Sequence, residues 1–359
     1  MEGIVPMDLW LSIILFIIGL AILIKGSDFF ITGAAFMAKR FGVSELIIGL
    51  TLVSMGTSLP ELGASVYASA SGAGGIAVGN VVGSNIANIA LVLGVCLLIT
   101  KIGVKKKMVK RDGLIMLVVS LLFTVFVFGG IAQWEGLILM AIFVTYLIFL
   151  YNQNKDEKRS EALSKVIKES IEKDRRVSGE IAKLIIEKKD EIEEKKKKQR
   201  DLVPEKKVKY PGFTKEIVKL TAGCLGVIVG AWLLVERAVD ISIALGISQT
   251  VIGSTLVAFG TSVPELAVSV VAILKRFEQI SIGNIIGSNI FNILWVIGAA
   301  ALVGELAVDN TLLYINIPIM LMVAAILLIF MASGKKLMRW QGAIFVTIYV
   351  LFLIMNYWK

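Results

Sequence analysis

Long apolar segments dominate this sequence, and they restrict the folds that the chain can adopt more than any other feature. Crossing the hydrocarbon core of a bilayer takes about 20 apolar residues. We predict ten such spans, at about 8–33, 44–70, 75–99, 111–128, 131–151, 214–238, 248–274, 279–303, 310–333 and 338–358. The sequence therefore predicts an all-α, multi-pass membrane protein.

Charged residues are concentrated in one stretch between these spans. Of the 65 charged residues (37 basic plus 28 acidic), 33 lie between Asn152 and Phe213. Soluble domains are about one quarter charged, whereas the other 297 residues carry only 32 charges. We predict three parts: a first membrane domain of five helices at 1–151, a charged cytoplasmic loop at 152–213, and a second membrane domain of five helices at 214–359.

The shorter loops alternate in charge. Basic residues cluster at 39–40, 101–111, 275–276 and 335–339, and the intervening loops carry acidic residues or none. Lys and Arg mark the cytoplasmic side of a membrane protein. We therefore predict a protein of the cell (plasma) membrane, with the long loop in the cytoplasm and both termini outside, an arrangement that an even number of spans satisfies.

The composition excludes several classes of function. The chain has no His, which removes His-based catalysis and His-based proton relays. Cys96 and Cys224 lie inside apolar segments and indicate no disulfide framework. The net charge of +9 comes from basic residues at the ends of apolar segments, a topology signal rather than a nucleic-acid surface. We predict no enzyme activity, no cofactor and no nucleic-acid partner.

The two halves of the chain share an internal repeat. A shift of 204 positions aligns residues 26–94 with 230–298 without a gap, and 29 of the 69 aligned pairs are identical. GTSLPEL at 56–62 matches GTSVPEL at 260–266, and GNVVGSNIANI at 79–89 matches GNIIGSNIFNI at 283–293. Five spans per half is an odd number, so the second half would insert inverted. Inverted repeats with interrupted helices are typical of secondary transporters, and we predict that spans 2, 3, 7 and 8 are broken.

Glu61 and Glu265 occupy equivalent positions in the middle of spans 2 and 7. A carboxylate at that depth is costly and usually marks an ion path. The proline before each glutamate lacks an N–H group, so we expect freed backbone carbonyls near Ser54 and Ala258. Such carbonyls are tolerated in a membrane only where they line a cavity or bind something.

Helical spacing adds further oxygen atoms around the glutamates. Thr57 lies four residues before Glu61 and Ser65 four residues after it, so a helix presents all three on one face. The pairs Ser84 with Asn88 and Ser288 with Asn292 have the same spacing. Calcium takes six to eight oxygen ligands, and no soft ligand lies nearby. The pattern predicts a midplane site at which one divalent cation competes with monovalent cations or protons.

Several repeated polar residues have a structural alternative. Ser65 and Ser269 fit a ligand role or a helix-packing hydrogen bond equally well. We interpret four asparagines as caps of broken half-helices rather than as ligands: Asn80, Asn85, Asn284 and Asn289. We interpret four glycines as close-packing or break positions: Gly79, Gly83, Gly283 and Gly287. Asp28 is expected to pair with Lys25 within the first span.

The two pairs of blocks resemble the α-repeats of the calcium/cation antiporter superfamily, and the prokaryotic sodium/calcium exchanger branch is the most similar. The resemblance covers both halves of the chain and excludes the loop at 152–213. It implies ten helices in two inverted five-helix repeats, with helices 2, 3, 7 and 8 broken around four cation positions. Helices 1 and 6 would slide across that core to give alternating access.

The resemblance also implies a ligand set. Glu61 and Glu265 would hold calcium and share sodium positions. The remaining ligands would be the side chains of Thr57, Ser58, Thr261, Ser262, Ser84, Ser288, Asn88 and Asn292 and the carbonyls of Ser54 and Ala258. The chain departs from the family in one respect, because some prokaryotic relatives carry Asp at one of the positions occupied here by Asn88 and Asn292.

The implied function is exchange of Ca²⁺ for Na⁺ by a protein that needs the lipid bilayer and works as a monomer. A Ca²⁺/H⁺ antiporter, or another cation/proton antiporter of the same superfamily, is the alternative, since two amides leave the counter-ion open. A passive cation channel could use the same oxygens, but inverted halves serve alternating access.

Overall fold

The computed structural model describes residues 9–173, 213–244 and 260–357. In these ranges the helices are α1 (Leu9–Phe41), α2 (Glu45–Thr57), α3 (Leu59–Ala70), α4 (Gly74–Ile99), α5 (106–127), α6 (Gln133–Lys173), α7 (Phe213–Ala244), α8 (Val263–Leu274), α9 (Glu278–Val303), α10 (Leu312–Ser333) and α11 (Arg339–Tyr357). Two short strands, β1 (Ile102–Gly103) and β2 (Lys336–Leu337), complete the described elements.

The lengths of these helices fit a membrane protein. Among the described residues, seven helices are long and apolar enough to cross a bilayer, or eight if the bent pair α2 and α3 is one span. The predicted seventh span at 248–274 is described only from Gly260 onward, and its helix α8 has 12 residues. The chain is therefore an all-helical, multi-pass membrane protein.

Two compact units divide the chain. One consists of Met1–Leu150 and Glu216–Lys359, and the other of Tyr151–Lys215. Helix α6 continues beyond 151, where the fifth span was predicted to end, as far as Lys173. No Gly or Pro interrupts the sequence between 152 and 173, so local propensity favours continuation of the helix.

Burial separates inner helices from outer ones. The most apolar windows of α4 and α9 are 72% and 83% buried, whereas those of α1, α7 and α11 are 22% buried. Large apolar side chains on the outer helices are exposed, for example Ile17 and Leu351. A soluble protein rarely exposes so much contiguous apolar surface, and lipid tails would cover it here.

A close approach of backbones sets α2 against α9. A Cβ atom on Gly283 would lie 2.6 Å from the carbonyl oxygen of Leu46 and 3.0 Å from the Cα atom of Gly49. A Cβ atom on Gly287 would lie 2.6 Å from the carbonyl oxygen of Leu50. The prediction of close packing is confirmed at both glycines, but it is wrong at Gly83, where a Cβ atom would meet nothing within 4 Å, and at Gly79, where the nearest atom would be 3.8 Å away. Any larger residue at Gly283 or Gly287 would push α9 away from α2, the helix that leads to Glu61.

The bend between α2 and α3 occurs at Ser58. The two helices differ in direction by 47°, and Ser58 has φ −89° and ψ 14°. Ser262, just before α8, has nearly the same backbone conformation, φ −89° and ψ 1°. Pro60 and Pro264 follow in the first turn of α3 and α8, a position at which proline is compatible with the new helix.

The predicted breaks in spans 3 and 8 are wrong, because α4 and α9 remain continuous and contain only wider, π-helical turns. These turns cover Ala87–Leu93 in α4 and Asn292–Val296 in α9. The two segments include Asn88 and Asn292, which are 204 positions apart. π-Helical turns are frequent at functional sites because the extra residue reorients side chains.

Two short backbone pairings join loops from different halves of the chain. Strand β1 pairs antiparallel with β2 through Ile102 and Leu337, and Ile131 pairs with Leu306 in an isolated bridge. The first pairing joins two loops that carry basic residues, and the second joins loops that carry acidic residues. Each pairing therefore links loops that the charge pattern assigns to one side of the membrane.

One predicted ion pair is replaced by another. Asp28 of α1 lies 2.6 Å from the Nζ atom of Lys275, beyond the C-terminal end of α8, rather than being paired within its own helix. Lys275 also donates to the hydroxyl oxygen of Thr32 at 2.9 Å. The partner that a helical spacing suggested was wrong because tertiary packing brings a distant cation to the same carboxylate.

Candidate cation site

Two buried carboxylates form the centre of the site. Glu61 lies in the first turn of α3 and Glu265 in the first turn of α8, and neither is exposed to solvent. Among the described residues, neither carboxylate oxygen of Glu61 and only one of the two of Glu265 has a hydrogen-bond partner. Burying a charged oxygen without a partner is costly. These three oxygens therefore suit a cation.

Ser58 connects the two halves at this centre. Its Oγ atom lies 2.8 Å from Oε1 of Glu265 and 3.0 Å from Oγ of Ser288. A serine at this position normally caps the following helix, but the side chain of Ser58 makes no capping bond to α3. A hydroxyl has one proton, and a carboxylate is the stronger acceptor. Ser58 therefore donates to Glu265, and Ser288 donates to Ser58.

Ser262 is the equivalent residue in the second half, and its environment differs. It is fully buried and makes no capping bond to α8. Its Oγ atom has no hydrogen-bond partner within the part of the chain that the structure describes. The second half therefore has a buried hydroxyl that is available to a ligand, where the first half has one already bound to Glu265.

Thr57 and Thr261 occupy equivalent positions in the repeat, and each bonds to an asparagine of the opposite half. Thr57 Oγ1 lies 3.1 Å from Oδ1 of Asn284, and Thr261 Oγ1 lies 3.3 Å from Oδ1 of Asn80. These contacts bring α2 against α9 and the start of α8 against α4. The two threonines predicted as ligands are thus positioned by residues from the other half.

The same asparagines are fixed within their own half by serines. Asn80 donates through Nδ2 to Ser65 Oγ at 3.0 Å, and Asn284 donates to Ser269 Oγ at 3.1 Å. Both pairs are 15 residues apart. A serine oxygen that accepts from Nδ2 turns Oδ1 toward the threonine, so Ser65 and Ser269 act as structural hydrogen-bonding residues.

The interpretation of the asparagines as helix caps was wrong. The N-caps of α4 and α9 are Ala73 and Phe277, and neither has a side-chain capping bond. Asn80, Asn85 and Asn284 instead make side-chain bonds to the opposite half of the chain. These asparagines recur 204 positions apart in the two halves. That recurrence indicated a role shared by both halves, whereas helix-capping rules consider only the local helix.

The second pair of asparagines differs between the halves. Asn292 Nδ2 lies 3.3 Å from Ser84 Oγ, and its Oδ1 atom has no partner among the described residues. Neither side-chain polar atom of Asn88 has one, although Asn88 and Asn292 are both fully buried. Two amide oxygens therefore add to the unpartnered carboxylate oxygens.

One backbone carbonyl near the break, that of Ser54, keeps its helical hydrogen-bond partner. Freed carbonyls were expected in the neighbourhood of Ser54, but the Ser54 carbonyl itself accepts from the N–H group of Ser58 at 3.0 Å. The carbonyl that would have bonded to an N–H group at position 60 is that of Gly56, four residues earlier, as expected from the proline. Ala258, the equivalent of Ser54, lies outside the described residues.

The donor set limits the chemistry of the site. In the described ranges, no group of three or more His, Cys, Asp and Glu side chains could hold a metal ion. A cation at this site would be bound by two carboxylates, with hydroxyl and amide oxygens completing the shell. This all-oxygen set suits hard cations such as Ca²⁺ and Na⁺.

Comparison with known families gives a match over both halves of the chain. The family described as sodium/calcium exchanger protein matches residues 11–152 and 215–358. The sodium/calcium exchanger MaX1 of Methanosarcina acetivorans is 37% identical, and the match covers 97% of this chain and 99% of the relative. An uncharacterized membrane protein of Methanocaldococcus jannaschii is 35% identical over 94% of this chain and 95% of its own length.

Solved structures of similar fold agree with the sequence match. The sodium-calcium exchanger NCX_Mj soaked with 2.5 mM Na⁺ and 0.1 mM Ca²⁺ superposes with a TM-score of 0.73 at 33% identity. That match covers 95% of this chain and 97% of the other. The same exchanger soaked with 10 mM Na⁺ and no Ca²⁺ gives a TM-score of 0.75 at 32% identity, covering 96% of this chain and 98% of the other.

Proposed function

This chain belongs to the sodium/calcium exchanger family and is a Na⁺/Ca²⁺ antiporter, and from that premise we propose which residues bind the ions and how the two halves alternate. The observation that carries the proposal is the pair of fully buried glutamates with three unpartnered carboxylate oxygens. The relatives are exchangers, so the protein is a transporter and not an enzyme.

Calcium binds between Glu61 and Glu265, because two carboxylates neutralise one divalent cation. The same two charges can be balanced by monovalent ions, which is why sodium competes with calcium. Neutral oxygens complete the positions around the glutamates, from Thr57, Ser58, Thr261, Ser262, Ser84, Ser288, Asn88 and Asn292. The carbonyls of Ser54 and Ala258 remain predictions: the first accepts from the N–H group of Ser58, and the second lies outside the described residues.

The fold consists of ten helices in two inverted five-helix repeats, with helices 2 and 7 broken at the site and helices 3 and 8 distorted there by π-helical turns. Features at matching positions support this. The backbone conformations of Ser58 and Ser262 are nearly equal. Residue 102 of β1 and residue 306 of the isolated bridge are 204 positions apart, and both make backbone pairings to the other half.

Helices α1 and α7 are the moving elements. They belong to a smaller apolar cluster that packs against α2 and α8 and includes Phe30, Val53, Val227 and Val263, whereas α4, α5, α6, α10 and α11 share a separate, larger cluster with α9. A Cβ atom on Gly26 would lie 2.7 Å from the backbone of Gly226. Glycines at such contacts let two helices move as a close pair.

The glutamates at the centre are fully buried, and the entrance to the site lies on the side where the surrounding polar residues are partly exposed. Thr261 and Asn80 are partly exposed, whereas Thr57 and Asn284 are buried. In the topology predicted from the charged loops, Asn80 lies near the outer end of α4, so the entrance is on the extracellular side. The same topology gives a plasma-membrane protein with the 152–213 loop in the cytoplasm between domains at 1–151 and 214–359. Na⁺ and Ca²⁺ are its substrates, and it works as a monomer with no cofactor.

Transport by purified protein in lipid vesicles tests the function directly. We expect Ca²⁺ uptake when an outward Na⁺ gradient is imposed, and no comparable uptake with an outward proton gradient alone. Uptake driven by the proton gradient alone would favour the proton-coupled alternative. Uptake that ignores both gradients would identify a channel and exclude the exchanger.

A further inference from the structure

The two ends of the Asn292 amide are chemically opposite. Oδ1 accepts hydrogen bonds and can bind a cation, whereas Nδ2 only donates and would repel one. An aspartate has no such problem, because both of its oxygens accept. A site that uses an asparagine therefore needs something to hold the amide in the productive orientation.

Two acceptors hold the Nδ2 end of Asn292. Nδ2 lies 3.3 Å from Oγ of Ser84 and 3.2 Å from Oδ1 of Asn85. The Ser84 hydroxyl lies 2.8 Å from the carbonyl oxygen of Asn80, so its proton is used within α4 and its oxygen is left to accept. With Nδ2 held in this way, Oδ1 of Asn292 has no partner among the described residues.

The orientation of Asn85 is set in turn by a group that can only accept. Asn85 Nδ2 lies 3.3 Å from the backbone carbonyl oxygen of Asn289. A carbonyl cannot donate, so the NH₂ end of Asn85 must face it and the Oδ1 end must face Asn292. Asn85 and Asn292 are both fully buried, which makes an alternative arrangement with unpaired amide groups costly.

The equivalent asparagine in the second half is oriented differently. Asn289 donates through Nδ2 to the carbonyl oxygen of Ile285 in its own helix, at 2.8 Å. Asn88, the equivalent of Asn292, receives no such support, since neither of its side-chain polar atoms has a partner in the described ranges. The sequence GSNIxN occurs twice, yet only the copy at Asn85 fixes an amide of the opposite half.

We propose that Asn85 is a positioning residue that holds the Asn292 amide with Oδ1 directed toward the transported cation. Asn85 does not contact the ion itself; it acts by accepting from Nδ2 of Asn292. This inference rests on the proposed function, because it requires Asn292 to be a cation ligand. Replacing the acceptor would let the amide rotate and present Nδ2 to the cation.

A double-mutant cycle tests this role. In the otherwise unchanged protein, Asn85→Leu removes the acceptor at similar volume, and we expect the KM for Ca²⁺ to rise about tenfold, with a smaller change in maximal rate. In an Asn292→Asp background, whose side chain has no Nδ2 group to hold, the same change should alter the KM by no more than about twofold. Asn289→Leu is the matched control, and its effect should be equal in both backgrounds.

Equal effects of Asn85→Leu in the two backgrounds would overturn the proposal, because a purely structural role does not depend on the amide of Asn292. An unchanged KM in the otherwise unchanged protein would overturn it as well. If the leucine variant does not fold, Asn85→Ala replaces it, and Ca²⁺-dependent thermal stabilisation gives a binding readout for variants that do not transport. Absence of Na⁺-driven Ca²⁺ transport in the unaltered protein would instead contradict the proposed function.

Discussion

The two Ser–x–Pro–Glu segments have the same sequence pattern but different contacts. Ser58 and Ser262 have the same buried position and almost the same backbone angles. Ser58 is bonded to Glu265, whereas Ser262 has no partner among the described residues and neither does the Glu61 carboxylate. The repeated sequence thus supplies the same groups twice, and the conformation determines which copy has its groups paired.

The neighbouring Thr–Asn pairs show a parallel difference. The bond between Thr57 and Asn284 is buried, and the bond between Thr261 and Asn80 is partly exposed and slightly longer, at 3.3 Å against 3.1 Å. An exchange of these two environments would produce the opposite state of an alternating-access transporter. On the proposed mechanism the asymmetry belongs to one conformation, and the predictions below separate it from asymmetry that the sequence encodes.

The largest effect on transport is expected at Glu61 and Glu265, which occupy equivalent positions in the two halves. Glu61→Gln and Glu265→Gln should each abolish Na⁺-driven Ca²⁺ uptake, a loss of at least about a hundredfold, because one remaining carboxylate cannot neutralise a divalent ion in a buried site. Vesicle flux measures the loss, and size-exclusion chromatography in detergent checks that each variant folds. Wild-type flux in either folded variant would remove that glutamate from the site.

A smaller effect should separate the two serines. Without Ca²⁺ and Na⁺, Ser58→Ala should lower the free energy of unfolding by about 1.5–3 kcal/mol, because it removes a hydrogen bond to a buried carboxylate. Ser262→Ala should lower it by less than about 0.5 kcal/mol, since its hydroxyl has no partner to lose among the described residues. Denaturant titration of both variants measures the difference.

Ions should change that ranking of the serines. If both hydroxyls bind cations, saturating Ca²⁺ should stabilise each alanine variant less than it stabilises the unaltered protein. Equal destabilisation of the two variants without ions would show that the difference in contacts between the halves does not persist in solution.

The smallest effect is expected at the ion pair between Asp28 and Lys275, which is present in only one of the two equivalent places because the residues of the two halves differ there. The positions equivalent to Asp28 and Lys275 under the 204-residue shift are Trp232 and Ser71, so the ion pair between α1 and the end of α8 has no counterpart. Both side chains are about one third exposed. Asp28→Asn should therefore lower stability by less than about 1 kcal/mol.

Salt dependence provides the check on this ion pair. Thermal unfolding at low and high ionic strength should show a difference between Asp28→Asn and the unaltered protein that shrinks as salt screens the pair. A difference that stays constant with salt would mean that packing, rather than charge, links these two elements.

Much of the fold could be predicted because membrane helices follow from apolar length. Bounds of α4 and α9 lie close to the predicted spans, whereas α1 continues to Phe41, beyond the predicted end at 33. The break before Glu61 follows from Pro60. The extension of α6 to Lys173 was missed, because the predicted end of the span was set by hydropathy rather than by helix propensity. The Lys275 partner of Asp28 was missed because no local rule connects residues 247 positions apart.

The candidate site, like the fold, has parts that could be predicted from the sequence and parts that could not. The glutamates, threonines and serines were predicted as ligands because they recur at one offset in both halves, and polar residues are costly within apolar membrane segments. The orienting role of Asn80, Asn284 and Asn85 was missed because it depends on contacts between halves. When only its own helix is considered, an asparagine is interpreted as a helix cap.

The sequence by itself determined the class of protein, the family, the internal repeat and the residues available to bind ions, because these depend on hydropathy and on residue type at fixed spacing. Only the tertiary structure decided which of two identical groups has a partner among the described residues: the hydroxyl of Ser58 but not that of Ser262, and the Nδ2 group of Asn292 but not that of Asn88. The physical reason is that a hydrogen bond depends on direction and on tenths of an ångström across the two halves, and a sequence repeat specifies neither.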